Sequence, residues 1–96
     1  MKNLSDFKKR IKKGVKLETL WFNPRTNQWE DRGVRVVNHV QTNAFTILTE
    51  KIKDGKIDMV DSWAYFPKAK DIEIVSDNEV HIFWEDGKPS LQYKFV

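Results

Sequence analysis

The protein has 96 residues, and its 17 lysines and arginines against 14 acidic residues give a formal net charge of +3. This length fits one small domain and excludes an enzyme built from two domains with a cleft between them. The absence of cysteine excludes disulfides and thiolate chemistry, and a reducing, cytoplasmic location is the natural expectation. The sequence predicts neither a membrane-spanning helix, which needs about 18 apolar residues in a row, nor a secretory signal.

The charge is unevenly divided along the chain. Residues 1–16 carry seven basic side chains and one acidic side chain, a balance of +6, whereas residues 17–96 carry ten basic and thirteen acidic side chains, a balance of −3. This asymmetry indicates a basic N-terminal segment attached to a mildly acidic body. It favours a local electrostatic contact over a general surface for polyanions.

The basic segment is predicted to form a short helix within residues 1–14. Ser5 is a suitable N-cap, and Gly14 is suited to end the helix. Phe7 and Ile11 have the spacing of one apolar stripe. Because so short a helix is unstable alone, we expect this stripe to dock on the rest of the protein.

After Gly14 the apolar residues recur with a period of two, which predicts strands. Residues 23–33 are predicted to form a long loop or irregular hairpin, and residues 66–70 a break that contains a helical turn. The pair Asp54-Gly55 is a hairpin signal. The predicted strands cover residues 15–22, 34–41, 44–49, 57–64, 72–76, 80–84 and 91–96.

The predicted fold is a single α+β domain over residues 1–96. A short basic helix within residues 1–14 precedes six or seven antiparallel strands, which form a small barrel or strongly bent sheet over residues 15–96. The last strand, residues 91–96, is not followed by a turn. We expect it to be an exposed edge through which a second copy of the chain could pair to form a homodimer.

The sequence predicts no catalytic residue, metal site or cofactor. His39 and His81 each lie in the middle of a predicted strand, without the spacing of a zinc site. With only four glycines, the chain lacks a glycine-rich phosphate loop and a nucleophile elbow. We therefore expect a protein that is not an enzyme.

Two features are candidate contacts with a partner. The basic segment either forms a solvated helix face or contacts phosphates without reading sequence. Its cations are Lys8, Lys9, Arg10, Lys12, Lys13 and Lys16. Trp29, in the predicted polar loop, is the best single candidate for an exposed contact.

The aromatic residues are numerous for a core of this size. Neighbouring strand residues point to opposite faces, so one member of each adjacent aromatic pair must point away from the core. Such a residue either lies under the helix or the long loop, or is exposed to a protein partner or a stacked base. The residues concerned are Trp21, Phe22, Trp29, Trp63, Tyr65, Phe66, Phe83 and Trp84.

Arg32 and Arg35 flank Gly33 and are candidates for binding an anionic ligand. The alternative is that they form surface salt bridges with Glu30 and Asp31.

Several short motifs resemble small proteins encoded by phages and conjugative elements of Gram-positive bacteria. They are Leu4-Ser5-Asp6-Phe7-Lys8-Lys9, Gly14-x-Lys16-Leu17, Arg35-x-Val37, Gln41-Thr42-Asn43-Ala44-Phe45, Ser62-Trp63, Phe66-Pro67-Lys68-Ala69 and Leu91-x-Tyr93. The resemblance implies a genomic context in which small proteins often counter host defence. No role of an individual residue follows from it.

Three functional hypotheses follow. In the first, a binding protein encoded by a phage or mobile element inhibits a host defence protein or nucleoprotein complex by occupying a surface. In the second, residues 8–16 bind nucleic acid without sequence preference. In the third, the protein sequesters a nucleotide or other small signal molecule.

Overall fold

A computed structural model describes all 96 residues. One α-helix is followed by seven strands, with a single 3-10 turn at Ala69–Asp71 between the fourth and the fifth. In chain order the elements are α1 (Leu4–Arg10), β1 (Lys16–Asn23), β2 (Gln28–Val40), β3 (Ala44–Lys53), β4 (Lys56–Tyr65), β5 (Ile72–Ile74), β6 (Glu79–Phe83) and β7 (Pro89–Phe95). No helix in the structure is long and apolar enough to cross a membrane.

The strands form one antiparallel sheet in the order β4-β3-β2-β1-β7-β6-β5. The short helix and the number of strands agree with the sequence prediction. Strands β4 and β5 lie at opposite edges and do not pair, so the sheet is open. Of the two predicted forms, the strongly bent sheet fits and the barrel is wrong.

The last strand lies inside the sheet. Strand β7 pairs with β1 through Leu17↔Phe95 and Trp21↔Leu91, and with β6 on its other side through Val80↔Tyr93. The predicted exposed edge at residues 91–96 is therefore wrong, and this strand offers no free edge through which a second copy could pair. Of its two neighbours, β6 directly precedes β7 in the chain, whereas β1 is the first strand of the chain. The free edges belong to β4 and β5.

Helix α1 differs from the prediction at both ends. Asn3, not Ser5, is the N-cap, because its side-chain oxygen accepts a hydrogen bond from the Asp6 amide at 3.0 Å. At the other end, the Ile11 amide donates to the carbonyls of Phe7 and Lys8. Gly14 therefore lies beyond the helix, in the turn that leads into β1, with a φ of +91°.

The apolar stripe of the helix docks on the sheet, as predicted. Phe7 and Ile11 are buried together with core residues from β1, β2, β3, β6 and β7. The Phe7 ring lies 6.3 Å from Tyr93, 6.1 Å from Phe95 and 6.0 Å from Phe66, measured between ring centroids. Contacts with rings from β7 and from the segment after β4 fix the helix on one end of the sheet face that carries the core.

Of the two forms predicted for residues 23–33, the irregular hairpin fits and the long loop does not. Strand β1 continues to Asn23 and β2 begins at Gln28, so a short turn joins them. Asn27 adopts a φ of +55°, and its amide donates to the Asn23 carbonyl at 2.9 Å. The Asp54-Gly55 hairpin is confirmed, since φ is +53° and +75° at its two central residues, as a type I′ turn requires.

We predict that Phe7→Ala lowers the free energy of unfolding by about 3–5 kcal/mol, because it removes a fully buried ring and leaves a cavity. Urea denaturation followed by tryptophan fluorescence measures the change. Phe7→Leu keeps most of the volume and provides a milder variant if the alanine variant does not fold.

The control is Lys13→Ala, on an exposed residue just beyond the helix, which should change stability by no more than about 0.5 kcal/mol. A Phe7→Ala protein as stable as this control would contradict the docking role of Phe7.

Candidate ligand-binding site

The face of the sheet that carries the core continues beyond α1 as an open groove of about 680 Å³, which we call the binding groove. On β1, Leu17 and Thr19 are buried in the core, and Trp21, the next residue on the same face, lines the groove. The principal side chains around it are Trp21, Arg32, Arg35, Ile47, Thr49, Trp63, Tyr65, Phe66, Lys68, Phe83, Trp84 and Leu91.

A β-bulge brings two arginines to the groove. Glu18 pairs with Val34 and Leu20 with Asp31, so strand β2 contains one residue more than β1 over this stretch. In a regular strand Arg32 and Arg35 are three positions apart and point to opposite faces. Because of the extra residue, both line the groove. Gly33 has a φ of +73°, which side chains other than glycine rarely adopt, and its amide donates to Asp31 at 2.7 Å.

The two arginines are held differently. The Arg32 guanidinium lies 4.6 Å from the Trp21 ring centroid, and its Nη2 lies 3.5 Å from Glu30 Oε1. The salt bridge to Glu30 that the sequence suggested as an alternative therefore exists for Arg32. Arg35 donates from Nε to the Arg32 carbonyl at 2.8 Å, an arrangement that leaves its two terminal nitrogens for a ligand.

The two acidic side chains that line the groove, Glu85 and Asp71, are each paired with a lysine. A hydrogen bond from Lys68 lowers the pKa of Glu85, and the same bond raises the pKa of Lys68. Asp71 Oδ1 lies 3.1 Å from Lys70 Nζ. In the floor of the groove, burial raises the pKa of Tyr93. Among the groove's cations, Arg35 is therefore the one without an acidic partner, since Arg32 is paired with Glu30.

The groove thus combines aromatic surface with guanidinium donors. Its volume is within the range of about 300–1,000 Å³ that is usual for small-molecule sites. Indole rings present flat faces on which a planar group can stack, and guanidinium groups match the geometry of phosphate or carboxylate. The arrangement can hold a molecule that has a flat ring and an anionic group.

Trp29 lies on the other face of the sheet. It pairs with Phe22, and the two rings are 5.1 Å apart, so Trp29 is packed against a neighbour and 38% exposed. Lys16 is at the opposite end of β1, about 20 Å away at 3.3 Å per residue. The structure therefore does not bring Trp29 and the basic segment into one surface.

Two cations of the basic segment pack on the protein itself. Lys8 Nζ lies 5.2 Å from the Phe66 ring centroid and donates to the Thr42 carbonyl at 3.5 Å. The Arg10 guanidinium lies 3.9 Å from the Phe95 ring centroid. Lys13 is exposed. The remaining lysines, together with Arg10, surround a second cleft of about 460 Å³, which we call the basic cleft; its cations are Lys9, Arg10, Lys12 and Lys16.

Each histidine has one acidic neighbour. His39 Nε2 lies 3.5 Å from Asp61 Oδ2, and His81 Nε2 lies 2.7 Å from Glu79 Oε2. No cluster of three or more metal-ligating side chains occurs in the structure.

Sequence reasoning named Arg32 and Arg35 but did not join them to the groove tryptophans. Trp21 and Trp84 appeared only as members of an aromatic excess. The sequence did contain one signal for Trp21. It follows Leu17 and Thr19 at alternate positions of the same strand, so all three side chains lie on one face of the sheet. The signal for the bulge is Gly33, which the sequence analysis places at the end of a long loop or irregular hairpin.

Comparison with protein-family models, with curated proteins and with solved structures finds no match.

We predict that Gly33→Ala lowers the free energy of unfolding by about 1 kcal/mol, because an L-residue is strained at positive φ. An added Cβ at Gly33 meets no atom within 4 Å, so steric overlap does not contribute. Gly33→Asn should cost less, since asparagine tolerates this conformation better. Urea denaturation measures both, and a Gly33→Ala protein with unchanged stability would contradict the bulge geometry.

Proposed function

We propose that this is a binding protein whose groove takes a small anionic ligand with a flat ring, of the nucleotide class. The observation that carries the proposal is the grouping of Trp21, Arg32 and Arg35 in one groove of about 680 Å³. Of the three hypotheses from the sequence, this geometry favours the one in which a nucleotide or other small signal molecule is sequestered.

Stacking on an aromatic side chain contributes about 1–3 kcal/mol per base in single-strand binding proteins, and every base presents a face that can stack. Trp21, Trp63 and Trp84 supply such surface around the groove. The Arg32 guanidinium lies over the Trp21 ring, so on that side it presents its own flat, positively charged surface to a base in place of the indole face. A planar base therefore matches the aromatic part of the groove.

The phosphate of the ligand belongs beside Arg35. The two terminal nitrogens of the Arg35 guanidinium can donate parallel hydrogen bonds to phosphate oxygens. Such charge-assisted bonds contribute about 1.5–3 kcal/mol. The bond from Arg35 Nε to the Arg32 carbonyl fixes the guanidinium before the ligand arrives. Less side-chain freedom is then lost on binding.

We propose binding without chemical conversion. Guanidinium groups retain their protons at neutral pH and so act as donors and charges, not as general bases. Indole rings contribute stacking. These groups hold a ligand in place, which is what sequestration requires.

The biological role that we propose is counter-defence. The resemblance to small proteins of phages and conjugative elements suggests that the ligand is a nucleotide signal of a host defence system. Sequestration would lower the free concentration of that signal.

We predict that a nucleotide stabilises the protein in a thermal-shift screen of mono-, di- and cyclic nucleotides, and that Arg35→Met weakens binding of the best hit at least about tenfold. Methionine keeps an apolar stem but removes the donors and the charge. Trp21→Ala should weaken binding by a similar factor because it removes the stacking surface. Isothermal titration calorimetry measures both.

The matched control is Arg25→Met, which removes the same charge from the exposed turn between β1 and β2. It should leave the affinity within about twofold of the original, since it lies outside the groove and is screened by salt. Equal losses for Arg25→Met and Arg35→Met, or a screen in which every nucleotide fails to bind, would contradict the proposal.

A second candidate function is the surface-occupying inhibitor expected from the sequence, with a protein partner. The observation that favours it is the exposed apolar side of the β3–β4 hairpin. Ile57, Met59 and Trp63 alternate along edge strand β4 and therefore share a face, and Ile52 pairs with Ile57 across the hairpin. Exposed apolar side chains in such a row are typical of protein contacts.

For this second candidate we predict that Ile57→Lys combined with Met59→Lys abolishes capture of a specific host protein from a Gram-positive lysate, whereas Arg35→Met does not. Lysine replaces apolar contact with a hydrated charge on an exposed strand. If both variants capture the same proteins as the original, the hairpin is not the contact surface.

A further inference from the structure

The basic cleft lies where the end of α1, the following turn and the end of β7 meet. Its volume is about 460 Å³. All of its charged side chains are cations: Lys9, Arg10, Lys12 and Lys16. None of the four forms an ion pair with an Asp or Glu side chain, whereas Arg32, Lys68, Lys70 and Lys88 all do. Asp77, which lies next to Arg10, is close enough to interact with it electrostatically.

The backbone around the cleft is well fixed. The Gly14 amide donates to the Val37 carbonyl at 2.8 Å, and the Val15 amide donates to the Lys12 carbonyl at 3.0 Å. The turn thus formed, with Gly14 at a φ of +91°, reverses the chain so that Lys12 and Lys16 reach the same cleft. Arg10 is held by the Phe95 ring and by a hydrogen bond to the Asp77 carbonyl.

Four cations gathered in one place repel one another, and they favour an anionic ligand that offsets this repulsion. Lysine presents a compact point charge on a flexible stem, which suits phosphate oxygens at variable positions more than a fixed planar carboxylate. A chain of phosphates engages several such charges at once and gains from the release of its counterions.

We infer that the basic cleft binds the phosphate backbone of a single-stranded nucleic acid. A duplex is disfavoured because the rest of the chain, residues 17–96, carries a balance of −3 and would repel phosphates that lie along it. A single strand can bend so that a few adjacent phosphates enter the cleft while the remainder stays in solvent.

This site is separate from the binding groove. Lys16 begins β1, and Trp21 lies five residues further along the strand, about 17 Å away at 3.3 Å per residue. A mononucleotide in the groove does not reach the cleft. The inference therefore does not depend on the function proposed for the groove.

The test uses a fluorescein-labelled strand of fifteen thymidines and measures fluorescence anisotropy at several salt concentrations. The triple variant Lys9→Gln, Lys12→Gln and Lys16→Gln should bind at least about tenfold more weakly at low salt. It should also reduce the slope of log affinity against log salt by about 2, since each lost phosphate contact on a single strand removes about 0.7. All three residues are exposed, so the variant should fold normally.

The matched control removes the same charge from the far end of the β3–β4 hairpin, with Lys51→Gln, Lys53→Gln and Lys56→Gln. These residues are also exposed, and their loss should change affinity by less than about threefold if binding is local to the cleft. Equal losses in the two triple variants would show that only overall charge matters and would overturn the inference.

Two further arms identify the ligand. Inorganic phosphate, added at matched ionic strength, should not displace the strand; full displacement would mean that the cleft is a site for small anions and would overturn the assignment to nucleic acid. An abasic strand of the same length should compete with the labelled strand about equally well, because the cleft contacts phosphates only; failure of the abasic strand to compete would show that the bases, and therefore the groove, hold the strand. Failure of the unmodified protein to bind at low salt would also overturn the inference.

Discussion

The apolar face of the bent sheet has to be covered, and the only helix available is too short to cover all of it. Helix α1 has seven residues and a length of about 10 Å, whereas the eight residues of β1 extend about 26 Å. Phe7 and Ile11 fill one end of this face and hold it through contacts with rings from β7 and from the segment after β4. The remaining length of the same face is the binding groove. Core and groove are thus two parts of one surface.

What the groove can bind depends on a single inserted residue in β2. The bulge around Gly33 shifts the alternation of side chains by one residue. Arg32 and Arg35, which a regular strand would place on opposite faces, therefore lie on the same face. Trp21 lies on the neighbouring strand within reach of Arg32. The resulting cluster joins stacking and charge, which is the combination that a nucleotide needs. The basic cleft at the C-terminal end of the helix gathers cations, and Arg10 lies over its one aromatic residue, Phe95. This composition suits phosphates more than bases.

Local patterns in the sequence predicted the elements well and their arrangement less well. The stripe of Phe7 and Ile11, the period-two strands and the Asp54-Gly55 turn depend on neighbouring residues and were correct. For residues 23–33 the sequence left a long loop and an irregular hairpin open, because β2 is exposed and polar there and such a composition is also typical of a loop. The position of β7 between β1 and β6 depends on contacts between distant parts of the chain, which periodicity does not encode. For the same reason, the sequence identifies Arg32 and Arg35 as separate candidates only. That they share a face, and that Arg32 contacts Trp21, depends on how β1 and β2 pair.

The central claim is that the face with Trp21 binds the ligand and the face with Trp29 does not. The four tryptophans provide a direct measurement, because each indole N–H gives its own signal in a proton–nitrogen correlation spectrum. Three of them, Trp21, Trp63 and Trp84, line the groove, and Trp29 packs against Phe22 on the opposite face. On titration with the nucleotide that binds best, the account predicts shifts of the Trp21 and Trp84 signals while the Trp29 signal stays in place. A shift of Trp29 alone, or four unchanged signals at saturating nucleotide, would contradict it.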